Sequence, residues 1–213
     1  MMPYLQKQIY DQMVRTIVFD TETTGLPMNR YLDALHSPGI WPDIVSICWW
    51  VYEGKELVKK ENHIIYPDKW EIPEASIKIH SITYMKAQTD GVPLGTVLAD
   101  FRADLTGVDH IIAHNLMFDK NVVFNAYKWR LGQDPTLFWP INAEFCSGER
   151  SKAELKMPAR YPKPGDLYKM PRLDELYEHT FHTPAPSGAH NAERDVDVLQ
   201  QIVWARWPSM NMG

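Results

Sequence analysis

The sequence predicts an α/β fold: a mixed sheet with helices packed on it. Two observations predict this. Three β-rich runs come first, and a short apolar strand then alternates with segments of helical period. Met13 to Asp20 carries Val14, Ile17, Val18 and Phe19, β-formers that run into a turn at Gly25. Asp43 to Glu53 is dense in Ile, Val, Trp and Tyr. Glu56 to Tyr66 follows it across Glu53-Gly54-Lys55, which predicts a hairpin. The connection from Pro27 to Pro42 is longer than a hairpin turn, and long loops of this kind are often functional or family-specific insertions. Its Tyr31 and Trp41 are aromatic side chains able to stack on unpaired bases.

Pro73 to Ile79 reads as a short helix. Pro93 to Leu105 has Leu94, Val97, Leu98, Phe101 and Leu105 at helical spacing. Asp109 to Ala113 is a short buried strand. Leu116 to Leu131 is a helix, with Asn115 as its N-cap and Gly132 ending it. Lys156 to Pro171 is rich in Pro, Lys and Gly and reads as irregular. Arg172 to His179 is helical, Thr183 to Gly188 is a Pro/Gly/Ser loop, and Ala192 to Trp207 is the last helix. The 213 residues fit one domain, residues 1–213, with about 1–13 as an N-terminal extension.

Composition narrows the function. No run of about 18 apolar residues predicts a membrane span. Met1 to Arg15 lacks the apolar core of a signal peptide. Cys48 and Cys146 form neither a disulfide framework nor a zinc spacing, so a reducing, cytoplasmic compartment is expected. A net charge of −5 argues against coating long duplexes through a broad basic face, but not against gripping a strand end. Basic residues do gather between Lys120 and Arg172, with Arg150, Lys152, Lys156, Arg160, Lys163 and Lys169 among them. A phosphate-backbone enzyme would need such a region beside an acidic site.

The acidic residues carry the chemistry. Asp20 and Glu22 are two apart in a strand and so share one face, at the strand's carboxyl end where α/β sheets tend to hold ligands. Asp119 lies one turn after Asn115, at a helix start that favours anions. Asp195 falls in the last helix, facing the sheet, and His190 stands just before it. Four carboxylates converge only if a cation holds them, and divalent metal is the natural candidate. Hard oxygen ligands without a Cys/His cluster argue against zinc. A histidine beside a helix N-terminus stays neutral and can take a proton, and a loop position lets it move onto substrate. His114 and Asn115 are expected to cap the helix and satisfy backbone groups. His36, His63, His110, His179 and His182 are assigned no role.

These motifs resemble the DEDDh exonucleases, the DnaQ-like family of the DNA polymerase III proofreading subunit and RNase T. Asp20-Thr21-Glu22-Thr23-Thr24-Gly25-Leu26 matches the first motif, His114-Asn115 with Phe118-Asp119 the second, and His190 with Asp195 the third. The sister subfamily would place a tyrosine where Asn191 stands. The match runs from about Arg15 to Ala205.

The resemblance implies a ribonuclease H-like fold with a five-stranded mixed sheet. It also implies two Mg²⁺ or Mn²⁺ ions, and hydrolysis from the 3′ end of single-stranded DNA to 5′-mononucleotides, as in proofreading. Asp20, Glu22 and Asp195 would hold the metal that activates water. Asp20 would bridge to the second metal, on which Asp119 acts through water, and His190 would be the general base. Thr23 and Leu26 would position the terminal sugar and base. His80, in Ile79-His80-Ser81-Ile82-Thr83, would contact the terminal nucleotide. Ser81 departs from the family's glycine there, and Glu74 sits one residue further from the histidine than is common. The same site chemistry serves a 3′→5′ exoribonuclease, because that choice rests on the 2′ position. A non-catalytic strand-end binder or polymerase tether would be expected to lack one of the acidic residues. The partners expected are the 3′ end of single-stranded DNA or RNA, and a DNA polymerase if the role is proofreading.

Overall fold

The computed structural model describes residues 14–163 and 166–208. The expected N-terminal extension, about 1–13, lies outside them. Five strands form the sheet: β1 (Arg15–Thr23), β2 (Ile44–Glu53), β3 (Glu56–Ile64), β4 (His110–Ala113) and β5 (Glu144–Cys146), in the order β3-β2-β1-β4-β5. β1 is central. It runs antiparallel to β2 (Asp20 opposite Cys48) and parallel to β4 (Val18 beside Ile112). β5 continues the parallel side and β3 the antiparallel side, so the sheet is mixed, as expected.

Both faces of β1 are buried, and alternation sorts its side chains. Ile17 and Phe19 join a core with Trp49 of β2, with Val97, Leu98 and Phe101 of α3 (Leu94–Asp104), and with Leu116, Val122 and Val123 of α4 (Leu116–Asn125). Val18, on the other face, packs under Val196, Leu199 and Val203 of α7 (Ala192–Arg206). The expected helices at 73–79 and 93–105 appear as α1 (Glu74–His80) and α3. The expected helix at 172–179 is α6 (Leu173–Phe181).

Four departures have physical causes. The helix expected to run from Leu116 to Leu131 loosens after Asn125 into a π turn, Ala126–Arg130, where Leu131 N–H reaches the carbonyl five residues back. The segment 156–171, expected to be irregular, instead contains a small antiparallel pair, β6 (Pro158–Lys163) and β7 (Asp166–Tyr168). Helix α2 (Tyr84–Asp90) was not anticipated. It is short, and its start rests on Thr83 Oγ1 accepting from Lys86 N–H. Strand β5 and α5 (Ser147–Leu155) also escaped the periodicity reading: three residues of strand leave no period to detect, and α5 buries Ser147, Gly148 and Ser151, which give no apolar stripe. The long 27–42 connection carries neither helix nor strand. Within it Trp41 is buried, donates to the Leu32 carbonyl and packs on Phe118, while Tyr31 stays exposed.

Candidate active site

Helices α4 and α7 flank opposite faces of β1, so their first turns meet at its carboxyl end. Asp20 and Glu22 project there from the strand's α7 face. Asp119, in the first turn of α4, is buried and accepts two hydrogen bonds from Thr21: one from its N–H at 3.2 Å and one from its hydroxyl at 2.8 Å. Asp195, in the first turn of α7, is also buried. His190 is exposed, in the loop before α7, with a left-handed backbone (φ 64°), and its N–H donates to Asp195 Oδ2 at 3.0 Å. Ligand atoms of Glu22, His190 and Asp195 lie within 4.8 Å of one another.

All the residues selected from the sequence line one cleft of about 640 Å³: Asp20, Glu22, Asp119, His190 and Asp195, together with Thr23, Leu26 and His80. Leu26 stands exposed at its rim. Thr23 Oγ1 donates to the Gly25 carbonyl at 2.7 Å, and Gly25 takes a positive φ of 151° that closes this turn. His80 is buried. Its Nδ1 accepts from Ile82 N–H, and its Nε2 has no hydrogen-bond partner among the described residues. Burial holds the His80 imidazole below its ordinary range. Glu74 does not line the cleft; it pairs with Lys78 on the surface of α1.

His114 is structural, as expected, but not as a cap. Its Nδ1 pairs with Ser147 Oγ at 2.9 Å and its Nε2 with the Pro171 carbonyl at 2.8 Å. Its own carbonyl accepts from Gly148 N–H. The ring thereby ties β4 to α5 and to the segment leading into α6. Asn115 occupies the N-cap position, but its side chain makes no capping bond and faces the cleft instead. Several of the basic residues are paired: Lys120 with Glu144, Arg130 with Asp43, and Lys169 and Arg172 with Glu175.

The electrostatics are those of a site built for cations. Burial first, and then the charges of Asp119, Asp195 and Glu22, push the Asp20 carboxyl well above the usual range. Burial and the charges of Asp195 and Asp119 push Glu22 up to about 8. Burial lifts Asp119 to about 7 against the two Thr21 hydrogen bonds. Burial also raises Asp195, with Arg194 pulling the other way. So many carboxylates stay ionised together near neutral pH only with positive charge among them. Four carboxylates supply hard oxygen donors, so the donor set fits divalent metal.

A family model described as an exonuclease matches residues 17–203. The chain belongs to this exonuclease family. That family is the DnaQ-like exonucleases of the DEDDh type. Solved structures agree on the fold. A zinc-bound E. coli exonuclease I complex with single-stranded DNA is 21% identical, with a TM-score of 0.67, covering 93% of this chain and 42% of that one. E. coli exonuclease I with a dA16 oligonucleotide is 19% identical, with a TM-score of 0.68 and the same coverages, 93% and 42%. An exonuclease I complex with SSB-Ct is 16% identical, with a TM-score of 0.64, covering 94% of this chain and 43% of that one. The chain therefore spans about two-fifths of the exonuclease I chains it matches. No curated protein matches it in sequence.

The sequence reading missed Arg194 and Asp174, which also line the cleft. In the sequence Arg194 is only a charge beside Asp195; the contacts that make it part of the site come from the fold. Among the described residues, no helix is long and apolar enough to cross a membrane, and Cys48 and Cys146 are free thiols.

Proposed function

We propose that the protein removes nucleotides one at a time from the 3′ end of single-stranded DNA, releasing 5′-mononucleotides. The observation that carries this reading is the meeting of four carboxylates and His190 in one cleft. Asp20, Glu22, Asp119 and Asp195 would hold two divalent ions in this cleft. When bound, the metals supply a water of lowered pKa and neutralise charge on the phosphate oxygens.

The chain's own residues do the rest. His190 takes the proton of the attacking water, from a loop position beside Glu22 and Asp195. Thr21 fixes Asp119 through two hydrogen bonds, so that carboxylate needs no reorganisation. The 23–25 turn orients the terminal sugar, and exposed Leu26 packs against the last base. The unpartnered Nε2 of buried His80 meets a polar atom of the terminal nucleotide. The exonuclease I structures carry single-stranded DNA or a dA16 oligonucleotide, which favours DNA as the strand bound here.

The test is degradation of 5′-end-labelled single-stranded DNA and RNA side by side, with Mg²⁺ or Mn²⁺ and a circular single strand as control. Expected are a ladder shortening from the 3′ end, 5′-mononucleotide product, faster loss of DNA than RNA, and an intact circle. Cutting of the circle would show an endonuclease. Faster loss of RNA would favour the exoribonuclease reading.

A further inference from the structure

A fixed cation sits in the wall of the carboxylate cluster. Arg194 belongs to the first turn of α7, and its side chain is only 12% exposed. Its Nη1 lies 2.7 Å from Asp195 Oδ1 and 2.7 Å from Asp174 Oδ1. Its Nε donates to the Pro186 carbonyl at 3.0 Å, and its Nη2 donates to the same oxygen. One guanidinium thus gathers three parts of the chain: Asp195 on α7, Asp174 on α6, and the loop that joins those helices and ends in His190.

That loop has little else to hold it. From Thr183 to His190 only Ala185 is partly covered; the rest are exposed. Segments with so little buried surface open readily unless hydrogen bonds restrain them. The loop is tied at Pro186 to Arg194 and at His190 N–H to Asp195 Oδ2. Both ties end on neighbouring residues of α7. The planar fork of arginine allows this division of contacts, which a lysine ammonium on a flexible stem cannot copy.

We infer that Arg194 is a positioning residue that straps the His190 loop against the metal site and balances the charge of Asp195 before metal binds. The inference rests on the reading of Asp195 as a metal ligand and His190 as the base. It separates two quantities that a merely structural residue would move together. Losing the strap lets His190 wander and slows turnover. Losing the positive charge leaves Asp195 a stronger attractor of metal, while its place in the first turn of α7 still holds it at the cleft.

The experiment compares Arg194→Met and Arg194→Lys in the full chain. Mn²⁺ affinity is measured by calorimetry without substrate, loop opening by limited proteolysis with a non-specific protease, and turnover on a labelled oligothymidylate. Arg194→Met should bind Mn²⁺ at least as tightly as the parent and be cut faster within 183–190. Its kcat should fall about 10- to 100-fold with KM little changed, the scale expected when a reacting group is misplaced. Arg194→Lys should restore the parent's Mn²⁺ affinity but not its kcat. Parent-like turnover with unchanged proteolysis in Arg194→Met would overturn the inference, and so would a joint fall in Mn²⁺ affinity and turnover. Should Arg194→Met fail to fold, Asp174→Asn removes the α6 anchor at a position 38% exposed. It should show faster loop cleavage and a smaller drop in kcat, and no change in either would overturn the inference. If the parent degrades no nucleic acid, the nuclease reading fails, whereas proteolysis and Mn²⁺ binding still decide the strap.

Discussion

Replacing Glu22 with glutamine should make the metal-free protein more stable at pH 8, although a proposed metal ligand is lost. Burial and the charges of Asp195 and Asp119 raise the Glu22 carboxyl from 4.5 to about 8. A carboxyl raised on folding binds its proton more tightly in the native state. Between pH 4.5 and about 8 the native chain therefore holds a proton that the unfolded chain has released, and stability falls as pH rises through that window. At about 1.4 kcal/mol per pKa unit, the full shift corresponds to a cost of about 5 kcal/mol at pH 8. Asp20, Asp119 and Asp195 share the same repulsion and would relax in part without the substitution, so Glu22→Gln should recover roughly half, about 2–3 kcal/mol. For a chain of this size that is a rise in Tm of about 5–10 °C. Thermal melts from pH 5 to pH 8.5, in chelator and in Mg²⁺, provide the assay. In chelator the parent should lose stability as pH rises and the variant should lose less; Mg²⁺ should raise the parent's Tm well above any effect on the variant. A parent whose metal-free stability climbs between pH 5 and pH 8, with Glu22→Gln no more stable at pH 8, would refute the reasoning.

Asp20→Ala and Asp195→Ala should each abolish hydrolysis while circular dichroism shows the fold intact. Retention of more than a few percent of activity in Asp20→Ala would exclude the two-metal assignment. His190→Ala should lower kcat by roughly 10²- to 10⁴-fold with little change in oligonucleotide affinity, the usual scale for general acid–base catalysis; near-parental turnover in Mg²⁺ would remove it from the reaction. Gly148→Ala should destabilise the fold by about 1–3 kcal/mol, as overpacking of tight sites does. The new methyl would meet the His114 carbonyl and the Met170 sulfur, each at 2.6 Å. A denaturant midpoint equal to the parent's would show that this junction yields.

The candidate site was legible in the sequence because its chemistry is carried by residue types that are costly elsewhere. Carboxylates such as Glu22, Asp119 and Asp195 are rarely buried without partners, so an acidic pair ending an apolar strand, and acids at two helix starts, already marked a cation site. The central sheet was legible because β1 and β2 are long runs dense in β-formers, buried on both faces. What stayed hidden depends on contacts between segments distant in the chain. Strand β5 is three residues long and exists because it pairs with β4. The β6–β7 pair forms from residues whose Pro and Gly content argues for a loop. His114 looks like a helix cap until Ser147 and the Pro171 carbonyl are seen on either side of its ring. Arg194 is the most instructive case. Beside Asp195 in the sequence it reads as one more surface charge of an amphipathic helix. Only the fold brings Asp174 and the Pro186 carbonyl to it, and with them the loop that carries His190. The residues proposed to hold metal are thus specified by type, whereas the contacts that hold the proposed base in place are specified by tertiary geometry, which a single sequence does not display.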